Sequence, residues 1–360
     1  MRFSLFFELQ ISNPDAESER RLFHESIEQA VLAEKMGFDG LWVVEHHGLY
    51  EYSHSSAPEI FLAYLAAKTN RIRLGHGVNL LPFPYNHPIR VAERIATLDI
   101  LSNGRVDFGI GKSASLTEMD AFGLTPDLAN EQTKEALEII PRMWNEKIFS
   151  HESKNLKILP FQVIPKPIQK PGPPLFAACN RIEAIQEIGE SGMGVLASAQ
   201  GGRADLGKRI EAYRNGIAHA KKFKANVNER YILPVNAMVL DDDFRACEIG
   251  FNGNRFFNEA LSSYYFSDSK PLGRLKINRE ALSQTELAEL RSSRHVQPEN
   301  GALFGDVAHA IDAISVLKKA GVDETLLILQ QGTVPNKAIL ESIEIFGRKV
   351  IPKFSNSMYN

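Results

Sequence analysis

The sequence predicts a (β/α)8 barrel. Apolar runs of strand length alternate with segments of helical periodicity along nearly the whole chain, and the strand-like runs number eight. Most connections between them are short, which implies a parallel sheet closed or covered by helices. An open doubly wound sheet is the second architecture that the same alternation allows.

The elements follow in order. Residues 2–9 are an apolar run rich in Phe and Leu and read as a buried first strand. Over 18–36, Phe23, Ile27, Ala30 and Val31 recur at helical spacing, with Ser18 as the expected N-cap and Gly37 as the stop. A strand at 40–46, a helix at 57–68, a strand at 72–81, a helix at 87–101 and a fourth strand at 106–111 come next. Alternation pauses over 114–173, where one helix (131–146) and a Pro-rich connector from Ile164 to Pro174 are expected. It resumes with strand 175–179, helix 181–191, strand 194–198, helix 204–221 and strand 231–240. A helical stretch at 243–263 leads into a polar, irregular segment, 264–302, whose length suits a mobile functional loop. Helix 306–320, strand 324–330 and helix 336–349 close the chain. The whole, 1–360, is expected to be one domain with insertions after strand 4 and after strand 7.

Composition narrows the function. The 41 basic and 44 acidic residues give a net charge of -3, which argues against nucleic acid or an anionic membrane as the main partner. The apolar fraction of 44% is enough for a substantial core. No apolar run reaches the roughly 18 residues of a transmembrane helix, and the start lacks the h-region of a signal peptide. With Cys179 and Cys247 the only cysteines, no disulfide framework is expected, and a cytoplasmic location is.

Three clusters could carry chemistry. Strand 40–46 runs into Glu45-His46-His47, and titratable groups at a strand tip of a β/α barrel are candidates for catalysis. Successive strand residues face opposite ways, so one structural and one exposed histidine is the bland alternative. A metal site would need further ligands; His76 is available, but the other tips offer mostly Gly, Ser, Asn and Gln, so no metal is expected. The second cluster, Gly109-Ile110-Gly111-Lys112-Ser113, ends a strand in small residues and a cation, which suits close backbone approach and a phosphate at Lys112, or simply a tight turn. The third, Cys179-Asn180-Arg181, opens a helix whose free amides and Arg181 favour an anion, unless Asn180 is only a cap. Two cationic tips at one mouth make a phosphate-bearing ligand the better reading. No Gly-x-Gly-x-x-Gly and no P-loop is present, so a dehydrogenase- or kinase-type nucleotide is not indicated.

The chain resembles the bacterial luciferase-like, flavin-dependent monooxygenases. The resemblance rests on Gly37-Phe38-Asp39 with Trp42 and Glu45-His46-His47, on Leu81-Pro82 with His87-Pro88-Ile89-Arg90, on Leu98-Asp99 with Ser102-Asn103-Gly104-Arg105, and on Phe108-Gly109-Ile110 and Phe122-Gly123. The ending, Ala320-Gly321-Val322-Asp323 before Leu326-Leu327-Ile328-Leu329, is also of this kind.

The resemblance implies reduced FMN at the C-terminal mouth, His46 as the catalytic residue with Glu45 and His47 beside it, and cofactor contacts at Gly77, Val78, Lys112, Ser113, Asn180, Arg181 and Ser198. It also implies a cis peptide at Gly77-Val78, and it places Gly111 where luciferase has a reactive cysteine. Lys112 stands where the family usually has arginine, and Arg181 where it has Ser or Thr. The polar stretch 264–302 falls where luciferase has its mobile loop. The expected activity is a two-component monooxygenase that uses O2 on a small organic substrate, with a separate reductase supplying reduced FMN, and a homodimer is expected. Hydride transfer with a deazaflavin, or flavin binding without catalysis, are the alternatives.

Overall fold

Eight parallel strands close into a ring in chain order: Arg2–Phe7, Gly40–Val43, Arg73–Leu80, Val106–Gly111, Leu175–Ala178, Gly194–Leu196, Tyr231–Val239 and Glu324–Ile328. The eighth strand pairs with both the first and the seventh, and the sixth pairs with the seventh, which completes the (β/α)8 barrel. This computed structural model describes residues 1–197, 205–220, 227–266, 270–294 and 302–355.

Period-two alternation divides each strand between two cores. On the first strand Phe3, Leu5 and Phe7 pack outward against the helices, while Phe6 joins Trp42, Phe176, Leu196, Ile232, Leu326 and Ile328 inside the barrel. Trp42 fills the lumen because Gly75 gives way: a Cβ there would lie 2.3 Å from the indole. Below it a charged layer closes the bottom. Asp107 accepts from Arg73 at 2.9 Å and from Arg230 at 2.6 Å, and Glu324 accepts from Ser4 at 2.6 Å and from Trp42 Nε1 at 3.2 Å. The functional end is therefore the opposite, C-terminal mouth.

The first helix, Ala16–Lys35, starts earlier than expected. Asp15 is its N-cap, and Ser18, expected in that role, is the third residue of a reciprocal capping box with Asp15. Gly37, at φ +89°, ends the turn as the sequence implied. The insertion after strand 4 holds more than one helix: Leu116–Ala121, Pro126–Asn145 and an antiparallel hairpin of Phe149–Glu152 with Lys157–Phe161. The Pro-rich connector contains two cis prolines, Pro165 and Pro171.

After strand 7, the long helix Asp243–Tyr265 crosses the barrel top. The segment read as irregular contains the helix Gln284–Ser293, capped by Ser283 and Glu286 and anchored by buried Leu287. A short strand, Leu303–Gly305, extends the sheet beside Ala237–Val239. Among the described residues no helix is long and apolar enough to cross a membrane.

Candidate active site

His46 leaves the second strand with its N–H bonded to the Ser55 carbonyl at 2.9 Å. Its ring is nearly enclosed between two carboxylates: Nδ1 lies 3.2 Å from Glu118 Oε1, and Nε2 lies 3.9 Å from Glu8 Oε2. The Tyr265 hydroxyl sits 3.3 Å from Nδ1, and the Tyr52 and Tyr265 rings stand edge-on to the imidazole at 5.5 and 6.2 Å.

Glu118, on the insertion helix Leu116–Ala121, is fully buried and accepts from Ser113 Oγ at 2.5 Å and from the His47 amide at 2.7 Å. Burial would lift its pKa, but His46, Ser113 and the His47 amide together hold it below the ordinary carboxylate value. Burial likewise opposes charge on His46, yet Glu118, Glu8 and Glu45 outweigh it and raise the imidazole pKa. Glu8 behaves differently. Burial pushes it up to about 6, against the lowering influence of His46 and of the Tyr52 hydroxyl. The result is an ionised carboxylate, an imidazole and a readily protonated carboxyl in line, an arrangement able to give and take protons near neutral pH.

The rest of the triplet is placed otherwise. Glu45 is buried and accepts from Asn79 Nδ2 at 2.6 Å, the Leu80 amide at 2.8 Å and Asn86 Nδ2 at 2.7 Å, with His47 Nε2 at 3.3 Å. It ties the second strand to the third. His47 stacks on Tyr85 at 5.6 Å and leans on Phe122 at 5.0 Å. Of the three, the His46 ring is the one that faces Glu8, Tyr52 and Tyr265.

The third and fourth strands part beside this cluster. Their register breaks between His76 and Asn79, and the Gly77-Val78 peptide within the break is cis. Two glycines on the fourth strand make room for it. A Cβ on Gly109 would lie 2.1 Å from the His76 carbonyl oxygen, and one on Gly111 would lie 2.3 Å from Val78 Cγ2. A cysteine at 111 would therefore have to displace Val78.

Lys112 bonds the Asn130 side-chain oxygen, and its pKa is lowered, first by burial and then by the charge of Arg181. Ser113, at φ +66°, spends its hydroxyl on Glu118. Arg181, rather than Asn180, is the N-cap residue of the helix Ile182–Glu190; its side chain makes no capping bond and it is exposed. Ser198 lies outside the described residues. Lys112 and Arg181 follow adjacent strands, the fourth and the fifth, and the charge of Arg181 acts on Lys112, so the two are donors that would suit an anion such as a phosphate.

His76 is not part of this cluster. It is buried on the side of the outer helices, where Glu59 and Arg94 are the charges that act on it, and burial lowers its pKa to about 4. Among the described residues no three His, Cys, Asp or Glu side chains gather as a metal-binding group. Reading the strand tips could have found Glu8, which follows Phe7 directly. Glu118, Tyr52 and Tyr265 come from an insertion helix, a loop and the end of a long helix, and no local signal marks them.

Comparison with known proteins shows the family and agrees with the fold. The family model described as luciferase-like monooxygenase matches residues 1–324. A flavin-dependent trigonelline monooxygenase, oxygenase component, from Acinetobacter baylyi is 25% identical over 362 residues, covering 99% of this chain and 96% of its own length. An F420-dependent glucose-6-phosphate dehydrogenase from Amycolatopsis mediterranei is 26% identical, covering 67% of this chain and 68% of its own. Two solved structures share the fold. The monooxygenase RslO1 from Streptomyces bottropensis has a TM-score of 0.80 at 24% identity, covering 99% of this chain and 100% of its own. The oxygenating constituent of 3,6-diketocamphane monooxygenase from Pseudomonas putida, solved with FMN, has a TM-score of 0.75 at 20% identity, with 98% of both chains covered.

Proposed function

The chain belongs to the luciferase-like monooxygenase family, and on that premise we propose that it is the oxygenase component of a two-component pair. It takes reduced FMN from a separate reductase and uses O2 to oxygenate a small organic substrate. The observation that carries this reading is the pair of cations Lys112 and Arg181 at adjacent strand tips, with Lys112 directly after Gly111, which packs on Val78 of the Gly77-Val78 break; the pair suits one compact phosphate. When bound, reduced FMN supplies the electrons that activate oxygen.

The chain's own residues do the rest. Lys112 and Arg181 hold the phosphate, and Gly77 and Val78 support the ring. Asn180 stands just before the N-cap Arg181, beside the phosphate. His46 holds and moves a proton at Nε2, while Glu118 fixes Nδ1 and Ser113 fixes Glu118. Glu45 and His47 keep the strand tip in place. We also propose a homodimer through the helix Pro58–Lys68, which is mostly apolar and exposes Ile60 and Tyr64.

The test is direct. Purified protein should bind reduced FMN more tightly than a deazaflavin and should consume O2 when a flavin reductase is supplied. Preference for the deazaflavin with no oxygen uptake would replace this reading with hydride transfer, the chemistry indicated by the name of the dehydrogenase relative.

A further inference from the structure

Glu8 follows directly after the first barrel strand, and its side chain is 6% exposed. Oε1 accepts from the Tyr52 hydroxyl at 3.2 Å. Oε2, also buried, has no hydrogen-bond partner among the described residues. It lies 3.9 Å from Nε2 of His46, while Glu118 approaches Nδ1 of the same ring. Packing gives no reason for a carboxyl here. The preceding residues are Phe6 and Phe7, and a buried carboxyl with an unsatisfied oxygen lowers stability where an apolar side chain would not. Such a group, kept at a cost to the fold beside a titratable ring, points to function.

We infer that Glu8 and His46 share one proton and act together as the acid–base unit of the site, with Glu118 as its fixed counter-charge. The inference rests on the reading of His46 as the proton-handling residue. Glu118 accepts from Ser113 and the His47 amide and faces His46, so it stays ionised. Among the described residues Glu8 has a single side-chain donor, Tyr52, and burial raises it to about 6, toward the imidazole it faces, so that a proton can rest on either partner.

When the shared proton rests on Glu8, its transfer to His46 breaks the Glu8 O–H bond and forms an N–H bond at Nε2, from which His46 can pass it on. Glu8 is left as the carboxylate, and nothing is oxidised or reduced. The separation is 3.9 Å, and with Glu118 holding Nδ1 the transfer calls for a rotation of the Glu8 carboxyl toward Nε2. The groups facing Glu8 are His46 and Tyr52 from the second strand and its loop, Glu118 from the insertion helix, and Tyr265 from the long helix. Among the described residues no Lys or Arg side chain pairs with it. Glu8 acts through His46 and is a positioning residue in that sense.

The experiment is a histidine NMR titration of the cofactor-free protein, with the His46 signal assigned by its loss in His46→Gln. Glu8→Gln copies the protonated form without its charge. It should lower the His46 midpoint by about one pH unit or more, because a neighbouring carboxylate favours the imidazolium, and the melting temperature should hold or rise. Glu8→Asp, which keeps the charge but withdraws it, should give an intermediate midpoint and serves if the Gln variant does not fold.

Oxygen consumption driven by reduced FMN supplies a second arm, in which the acid limb near pH 6 should vanish in Glu8→Gln. An unchanged His46 midpoint in both variants overturns the inference. If the wild type consumes no oxygen while the midpoint still moves, the FMN reading fails and the proton pair stands.

Discussion

Nδ1 of His46 lies 3.2 Å from Oε1 of Glu118, and that oxygen also accepts from the amide of His47 at 2.7 Å. One carboxylate oxygen thus holds both the ring and the backbone of the strand tip. The insertion after strand 4 is therefore part of the site as well as of the outer shell.

The first prediction follows from this contact. His46→Ala should lower product formation by roughly 10²–10⁴-fold while flavin still binds, the range for a positioned acid or base. Glu118→Gln should cost less, about 10-fold to 10²-fold, since it removes charge but keeps a polar group against Nδ1. It should also shift the imidazole limb of the pH–rate profile to lower pH, because Glu118 is the largest of the influences that raise His46. Steady-state rates across pH would check this, and unchanged turnover in His46→Ala would make the histidine structural.

The barrel was legible in the sequence because its signal is local. All eight strands stand where apolar runs end at turns or helix starts. The site was legible only at the strand tips. His46 was found there, and Glu8 could have been, since it follows Phe7 without a break. Glu118 meets His46 across 72 positions, and Tyr265 across 219, so neither leaves a mark in any short window.

The structural misses have similar causes. Asp15 and Ser18 are both good caps, and composition alone cannot rank them. The helix Gln284–Ser293 did carry a sign, Ser283 three residues before Glu286, but its polar surface hid the periodicity. The hairpin strand Lys157–Phe161 is mostly exposed and contains Pro160, so it lacks the buried alternation by which strands are read.

The second prediction concerns the phosphate. Charge-assisted contacts are worth roughly 1.5–3 kcal/mol each. Lys112→Ala or Arg181→Ala should therefore weaken FMN by about one to two orders of magnitude and riboflavin, which lacks the phosphate, far less. Titration calorimetry with both ligands makes the comparison. Equal losses would show that these residues hold the fold or the ring.

The third prediction uses His76. Its folded pKa, about 4, lies below the ordinary 6.5 because burial disfavours the charged ring, and among the described residues neither nitrogen has a hydrogen-bond partner. A depressed basic group binds fewer protons in the native state. Its contribution to stability is full above pH 6.5 and is lost as pH falls toward 4, by up to about 3 kcal/mol. His76→Leu, of similar size and unable to titrate, should melt with a flatter dependence on pH across that window. Parallel melting curves for the two proteins would disprove the assignment.

The last prediction concerns residues 270–294, which lie within the stretch 264–302 expected from sequence to be a mobile loop with few core residues. They include buried Leu275 and Leu287, and a buried carboxylate pins them. Glu51 accepts from Arg279 Nη2 at 2.9 and 2.8 Å and from the Leu275 amide at 2.7 Å. Leu275 packs in the same cluster as Tyr52 and Tyr264, the neighbours of the His46 ring and of Tyr265. Losing one member of a buried pair costs roughly 3–5 kcal/mol when the partner stays buried. Arg279 is 28% exposed and can turn to water, so a smaller, local loss is expected here. Glu51→Gln keeps an acceptor for the Leu275 amide but gives up the ion pair. Limited proteolysis mapped by mass spectrometry should then show faster cutting within 270–294, with the barrel still folded. The Tyr52 side of the site should loosen with it, visible as lost hydrogen-exchange protection around residues 50–53. If the variant instead melts as one unit at lower temperature without preferential cutting, the segment is part of the barrel's cooperative core and has no independent closing motion.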